Sequence, residues 1–355
     1  MFARTLPAML FSLVALGAAA QTPAAVATPA DPERRPYAKP GILAALPDGR
    51  RIHFNCMGSG SPTVIMTAGL GDWSASWRKV QPTVARSTRV CTWDRAGFGF
   101  SDGSTQVQLI ANTVSDLEAA LKSAAIAGPY LMVGHSMGGL ESVLFADRHP
   151  EAVAGMVLVD PSVPDQADRL GKAAPSMAAA VKGLRAPILA EMRDCASGVQ
   201  SGAIGVGTPD PKGCLVYTGG YPPETAAALA QRDTEWLRWA AKISLHERFD
   251  ESARSLARPA RNYGAMPLIV LTAGKPFTPP ASMAPATAEA IRAGWPAFSA
   301  EFNRAHDDLA ALSTRGSNRM VADAGHYIQY DRPDLVIAAI EEVVKASRDG
   351  ARAMR

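Results

Sequence analysis

Cysteine is scarce in this chain, with four among 355 residues. None forms a C-x-x-C pair and no His-x-x-x-His spacing occurs, so a zinc site is not expected. Net charge is also small: 36 Lys and Arg stand against 33 Asp and Glu, giving a formal +3. The basic residues are scattered, which argues against a nucleic-acid stripe or a polybasic membrane patch. The apolar run near the start, Leu6 to Leu16, falls short of the ~20 residues that span a bilayer. Hydrophobic residues make up 47% of the chain, enough for a large core in one or two domains.

Arg4, the apolar run after it and Ala18-Ala19-Ala20 before Gln21 read as a cleavable signal peptide over 1–20. Residues 21–40, rich in Ala, Pro and Thr, read as a disordered leader. No cysteine precedes Cys56, so a lipid anchor is not expected, and export to the periplasm or the medium is. In an oxidising compartment the cysteines can pair. Cys195 and Cys214 lie 19 positions apart in one Gly-rich region, while Cys56 and Cys91 sit in separate predicted strands. Two disulfides are expected; four buried thiols are the alternative.

The most informative stretch runs from Tyr130 to Gly139. An apolar run reads as a buried strand, Gly134-His135-Ser136-Met137-Gly138 turns the chain sharply, and Leu140 onward reads as a helix. Such a turn exposes Ser136 Oγ at a sheet end only if residues 134 and 138 are small. The helix aims its N-terminal amides at the serine, where negative charge develops in acyl transfer. A packing turn is the bland alternative.

Gly134-His135-Ser136-Met137-Gly138-Gly139 resembles the nucleophile elbow of the α/β-hydrolase family, a likeness extending over roughly 41–345. It implies a mostly parallel, doubly wound, eight-stranded α/β sheet with an inserted helical cap. The usual strand order of that fold would set Cys56 beside Cys91.

Along the chain, a hairpin is expected over 42–56, strands at 62–67 and 89–93, and helices over 73–88 and 106–127. After the elbow come a helix to His149-Pro150 and a strand at 154–159 ending in Asp160-Pro161. Strands alternating with helices imply parallel pairing. Residues 162–265 lack β-rich runs and read as the cap, with helical pieces at about 165–194 and 223–257. Tyr217, Tyr221, Trp236 and Trp239 in this cap are candidates to line a substrate pocket, with plain packing as the alternative for the tryptophans. The core, 41–161 and 266–347, resumes with a strand at 267–272. A Pro/Ala-rich connection (276–290), a helix around 297–312, a strand at 319–322 and a closing helix over 333–347 follow.

A serine hydroxyl needs a base, and the base needs a partner that fixes its tautomer. Of six histidines, His326 sits beyond the last strand in Ala324-Gly325-His326, matching the family's histidine. His135 is expected to point away from the open face of the serine. The loop after Thr272, where many family members carry the acid, has no carboxylate. Asp160 takes that role by its resemblance to the lipase branch, with Asp307 and Asp308 as rivals. Backbone amides of Met137 and Leu70 are the expected oxyanion donors, although Ala68 stands where the family usually has histidine. Asp94 and Arg95 read as structural.

Together these residues predict an exported serine hydrolase of small carboxylic esters that needs no metal or organic cofactor. An amidase or peptidase of the same fold is the nearest alternative, and a non-catalytic binding protein comes from another class.

Overall fold

The computed structural model describes residues 31–353, apart from 218, 219 and 259. The expected signal peptide and most of the leader lie outside the described residues. The end of the leader is ordered, contrary to expectation. Pro32–Tyr37 forms a 3-10 helix. Asp31 Oδ1 caps it by accepting from Glu33 N at 3.0 Å, and the buried Tyr37 hydroxyl donates to Gln81 Oε1 at 2.6 Å.

Eight strands make one sheet: β1 (Ile42–Ala45), β2 (Arg51–Met57), β3 (Thr63–Thr67), β4 (Val90–Trp93), β5 (Tyr130–His135), β6 (Val153–Val159), β7 (Leu268–Ala273) and β8 (Gly316–Val321). Their order is β1-β2-β4-β3-β5-β6-β7-β8. The pairs β1–β2 and β2–β4 are antiparallel and the other five parallel. Cys56 faces Cys91 in the β2–β4 register, and the two are joined as a disulfide.

Side chains alternate across the central strands, so each strand feeds two cores. Leu131, Val133, Val157 and Ile269 enter one layer with Val84, Val336 and Ile340. Met132, Leu158 and Val270 enter the opposite layer with Leu117, Leu140 and Leu309. Each such aliphatic side chain, buried on both flanks, contributes about 1.5–3 kcal/mol relative to exposure. The first layer is covered by α1 (Gln81–Val84) and α11 (Pro333–Ala353), the second by α2 (Ile110–Ser123) and α3 (Met137–Arg148). In α11, Val336, Ile340 and Val343 recur at helical spacing and are all buried.

Two expected helices are shorter than their patterns suggest. Residues 73–88 give only a 3-10 turn at Ser74–Trp77 and the four-residue α1. Pro82 in its first turn has no amide to continue an earlier helix. Helix α2 starts at Ile110 rather than Gln106.

The insertion is helical: α4 (Gln166–Ala173), α5 (Pro175–Gln200), α6 (Pro223–Arg232), α7 (Trp236–Glu247) and α8 (Phe249–Ser255). Its Gly-rich loop is tied back by the Cys195–Cys214 disulfide, against which Trp239 and Val199 pack. Helix α9 (Pro285–Ala310) begins about a dozen residues before the expected helix. Pro285 suits a first turn, where its missing amide costs nothing; Pro296 is carried inside. The early start matters because Ile291 and Phe298 pack with Leu170 and Met177 of the insertion, whereas Ala305 and Leu309 pack on the sheet. One helix thus belongs to the cap at one end and to the core at the other.

Candidate active site

The site forms at the carboxyl edge of the sheet, where β5, β6 and β7 end side by side. Ser136 follows β5 with φ 53° and ψ −122°, a conformation that a non-glycine residue adopts only when its surroundings impose it. They do so by crowding. A Cβ at Gly134 would lie 2.2 Å from Gly138 O, and one at Gly138 would lie 2.4 Å from Thr67 O. Neither position admits a side chain. Ser136 N donates to Val159 O at 3.1 Å, and Ser136 O accepts from Gly139 N and Ser162 N. Helix α3 starts at Met137, directly behind the hydroxyl.

Asp160 leaves β6 with φ 41°, a left-handed conformation that Asp tolerates better than most residues. Its Oδ1 accepts from Ala273 N at 2.9 Å and its Oδ2 lies 2.6 Å from His326 Nδ1. The end of β7 therefore offers a backbone amide to hold a carboxylate borrowed from β6. Asp307 and Asp308 are occupied elsewhere: Asp307 accepts from Asn318 Nδ2 and Asp308 pairs with Arg169. Ser136, Asp160 and His326 line one cavity.

The loop from Ala68 to Gly71 follows β3. Arg95 holds it from below, its Nη1 donating to Gly69 O at 3.0 Å and its Nη2 to Ala68 O at 2.5 Å. Because a trans peptide sets C=O and N–H on opposite sides, the Leu70 amide is turned away from Arg95. Arg95 also pairs with buried Glu141 of α3, which accepts from Thr113 Oγ1 at 2.6 Å. The guanidinium thus links the loop to the elbow helix. Asp94 does similar work nearby, accepting from Ser74 N, Ser74 Oγ and Phe100 N. Burial works against its charge, but His53 and these donors hold its carboxyl below the usual range.

His135 packs against the loop that carries His326. Its ring lies against His326, with centroids 4.6 Å apart. Its Nε2 donates to the His326 carbonyl at 2.9 Å. Burial and then the neighbouring His326 keep its pKa well below normal, so the neutral ring acts as a donor that anchors the histidine loop. The loop is braced again by Tyr327, whose hydroxyl bonds to buried Asp72. Neither contact was visible from sequence spacing.

The proposed cap aromatics stand away from the two cavities near Ser136. Trp236 is 43% exposed. Trp239 packs on the cap disulfide and donates to Asp233 O at 2.8 Å. The Tyr217 hydroxyl donates to Asp233. Tyr221 accepts from Trp73 Nε1 at 2.9 Å and sits under Arg34. None of the four lines the cavity at Ser136 or the larger one beside it. The aromatic wall comes instead from α9, as Trp295, Phe298 and Phe302. Phe298 and Phe302 fall in the helix expected around 297–312, but the Pro/Ala-rich lead hid the earlier turns that add Trp295.

Among the described residues no group of three or more His, Cys, Asp or Glu is placed to hold a metal ion, and no helix is long and apolar enough to cross a membrane.

A sheet of this order, a serine on the turn after β5 and a histidine beyond β8 define an α/β hydrolase. The model of the alpha/beta hydrolase fold matches residues 62–189, and the chain belongs to that family. The uncharacterized protein YqjL of Bacillus subtilis is 25% identical over 297 residues, covering 83% of this chain and 89% of its own. A 2-hydroxy-6-oxononadienedioate/2-hydroxy-6-oxononatrienedioate hydrolase of Escherichia coli is 33% identical over 117 residues, 31% of this chain and 39% of that protein. An uncharacterized protein of Schizosaccharomyces pombe is 32% identical over 150 residues, 34% of this chain and 28% of its own length. These last two matches span well under half of the relatives concerned. Among solved structures, a thermophilic esterase from Thermogutta terrifontis aligns with TM-score 0.50 at 19% identity, covering 86% of this chain and 98% of that one. A serine hydrolase involved in carbazole degradation aligns with TM-score 0.54 at 17% identity, covering 87% and 99%. At such identities the structural likeness speaks for the fold.

Proposed function

We propose that the chain is an exported serine hydrolase that cleaves carboxylic esters through Ser136, His326 and Asp160. The observation that carries this reading is the 2.6 Å contact of His326 Nδ1 with Asp160 Oδ2, in the cavity that Ser136 also lines. With Nδ1 committed to the carboxylate, His326 presents Nε2 as the basic nitrogen. Ser136 Oγ attacks the ester carbonyl while Nε2 takes its proton, and Asp160 stabilises the imidazolium that forms. The Met137 and Leu70 amides hold the oxyanion, helped by the positive end of α3. Nε2 returns the proton to the leaving alcohol, and water activated by the same nitrogen releases the acid. The two disulfides support folding in an oxidising compartment.

A fluorophosphonate probe should label the wild-type protein at Ser136, and p-nitrophenyl butyrate should be turned over. Ser136→Ala should lose both and keep the same far-UV spectrum, since the turn is set by its glycine neighbours. Unchanged hydrolysis by purified Ser136→Ala protein would end the proposal.

A further inference from the structure

Two cavities of very unequal size meet beside Ser136. The one lined by Ser136, Asp160 and His326 has a volume of about 40 Å³, room for roughly three water molecules at about 10–15 Å³ each. The other, of about 400 Å³, is in the range of pockets that take whole small molecules. Gln166, Leu170 and Phe298 line both, so the chambers adjoin. Leu70 of the proposed oxyanion loop lines the larger, which places its mouth beside the reacting carbonyl.

The walls of the larger chamber are mostly apolar, with paired charges among them. Leu70, Leu170, Met177, Val181, Ile188 and Phe298 supply the apolar surface. Among the charged lining residues, Arg185 pairs with Asp250 at 2.6 Å and Arg254 with Asp168 at 3.5 Å, so those charges largely neutralise each other. Lys182 and His246 also line the chamber. One side of the small cavity is a stacked ladder on α9: Trp295 on Phe298 at 5.4 Å and Phe298 on Phe302 at 5.5 Å.

We propose that this enzyme takes lopsided esters, with a one- or two-carbon group on one side of the carbonyl linkage and an extended aliphatic chain on the other. The inference rests on the esterase reading above, but its geometry does not depend on turnover. The chain gains from each methylene it buries against the apolar wall, and stops gaining where the chamber ends. The structure leaves the chain free to be the acyl or the alkoxy part, and two substrate series separate these.

The first series is methyl esters of acids from acetate to dodecanoate; the second is acetate esters of alcohols from methanol to decanol. In one series kcat/KM should rise by about fourfold per methylene and then level. In the other it should stay flat or fall. Both rising alike, or neither rising, would overturn the proposal. Ala178→Phe, on the chamber wall, should move the plateau to shorter chains, and Ile188→Ala should move it to longer ones. If neither variant moves it while both melt as cooperatively as wild type, the chamber is not the chain site. Binding to Ser136→Ala protein gives a test free of catalysis. Two ketones of the same formula, 2-undecanone and 6-undecanone, differ only in symmetry. The lopsided isomer should bind on the order of tenfold tighter, the worth of roughly two methylenes. Equal binding would refute the inference even if esters are hydrolysed, and tighter binding of 2-undecanone would uphold it even if they are not.

Discussion

His53 with Asp94 and His326 with Asp160 are the same chemical pair, with Nδ1 set 2.7 Å and 2.6 Å from a carboxylate oxygen. The first pair sits where the hairpin meets the loop after β4, the second at the carboxyl edge of β6. They differ in what surrounds the other ring nitrogen. His53 Nε2 accepts from Gly41 N at 2.9 Å, which fixes Nδ1–H as the donor to Asp94. Both members are sealed, at 1% and 0% exposure. His326 instead borders a cavity that also reaches a serine hydroxyl. A histidine–carboxylate contact is therefore no mark of chemistry by itself; what separates the two pairs is that one is sealed and the other borders a cavity.

The comparison breaks most sharply at the carboxylates. Asp160→Asn should preserve the fold but favour the wrong imidazole tautomer, lowering kcat on the order of 10⁴-fold, as in a protease triad. Asp307→Asn, whose carboxylate faces Asn318, should stay within about threefold of wild type because it touches no part of the proposed triad. Steady-state kinetics on a p-nitrophenyl ester measure both. Comparable losses in the two variants would mean that the acid has been misassigned.

Asp94→Asn should do the opposite of Asp160→Asn. An amide there confronts the Ser74 and Phe100 donors with a mismatched group and weakens the acceptor of His53 Nδ1–H. Leaving a buried donor unsatisfied in this way costs roughly 1–3 kcal/mol of stability. Urea unfolding should show that loss, while kcat per fluorophosphonate-titrated site stays near wild type. A catalytic defect with unchanged stability would mean that the two pairs are not as different as their surroundings indicate.

The contrast also shows what the sequence could carry. Gly134-His135-Ser136-Met137-Gly138 and Ala324-Gly325-His326 are local patterns whose spacing encodes backbone geometry, and both sit where that spacing implied. Buried strands such as Leu131–Val133 were legible because apolar runs between turn signals have few other uses. The pocket wall was not legible. Trp236 and Trp239 have the same composition as real pocket aromatics, and only tertiary packing turns one to solvent and the other onto a disulfide. The first dozen residues of helix α9 were hidden because Pro285 and Pro296 mimic a loop. The contact of His135 was hidden in the same way, because it is made with the His326 carbonyl, 191 positions away.

A third carboxyl near His326 sharpens the comparison further. Asp72 follows the proposed oxyanion loop and bonds to the Tyr327 hydroxyl rather than to a histidine, with its Oδ2 buried and unpartnered among the described residues. Burial pushes its pKa up to about 7, against the opposing pull of Tyr327 and of His326, Arg95 and Arg78. Asp94 is equally deep but has enough donors to move the other way. The pH dependence follows from the sign. Between an unfolded value near 3.8 and a folded value of about 7, the folded protein holds a proton that the unfolded chain has lost. Stability from this group is therefore full below pH 4, falls as pH rises through that window, and is flat above it. Asp72→Asn has no such titration. The stability of wild type relative to the variant should thus decline by up to roughly 4 kcal/mol from pH 4 to pH 8. Urea midpoints for both proteins at pH 4.5, 6 and 8 measure it. Parallel curves would show that Asp72 titrates in the folded protein as it does in the unfolded chain, with Tyr327 and the nearby positive groups offsetting the whole cost of its burial.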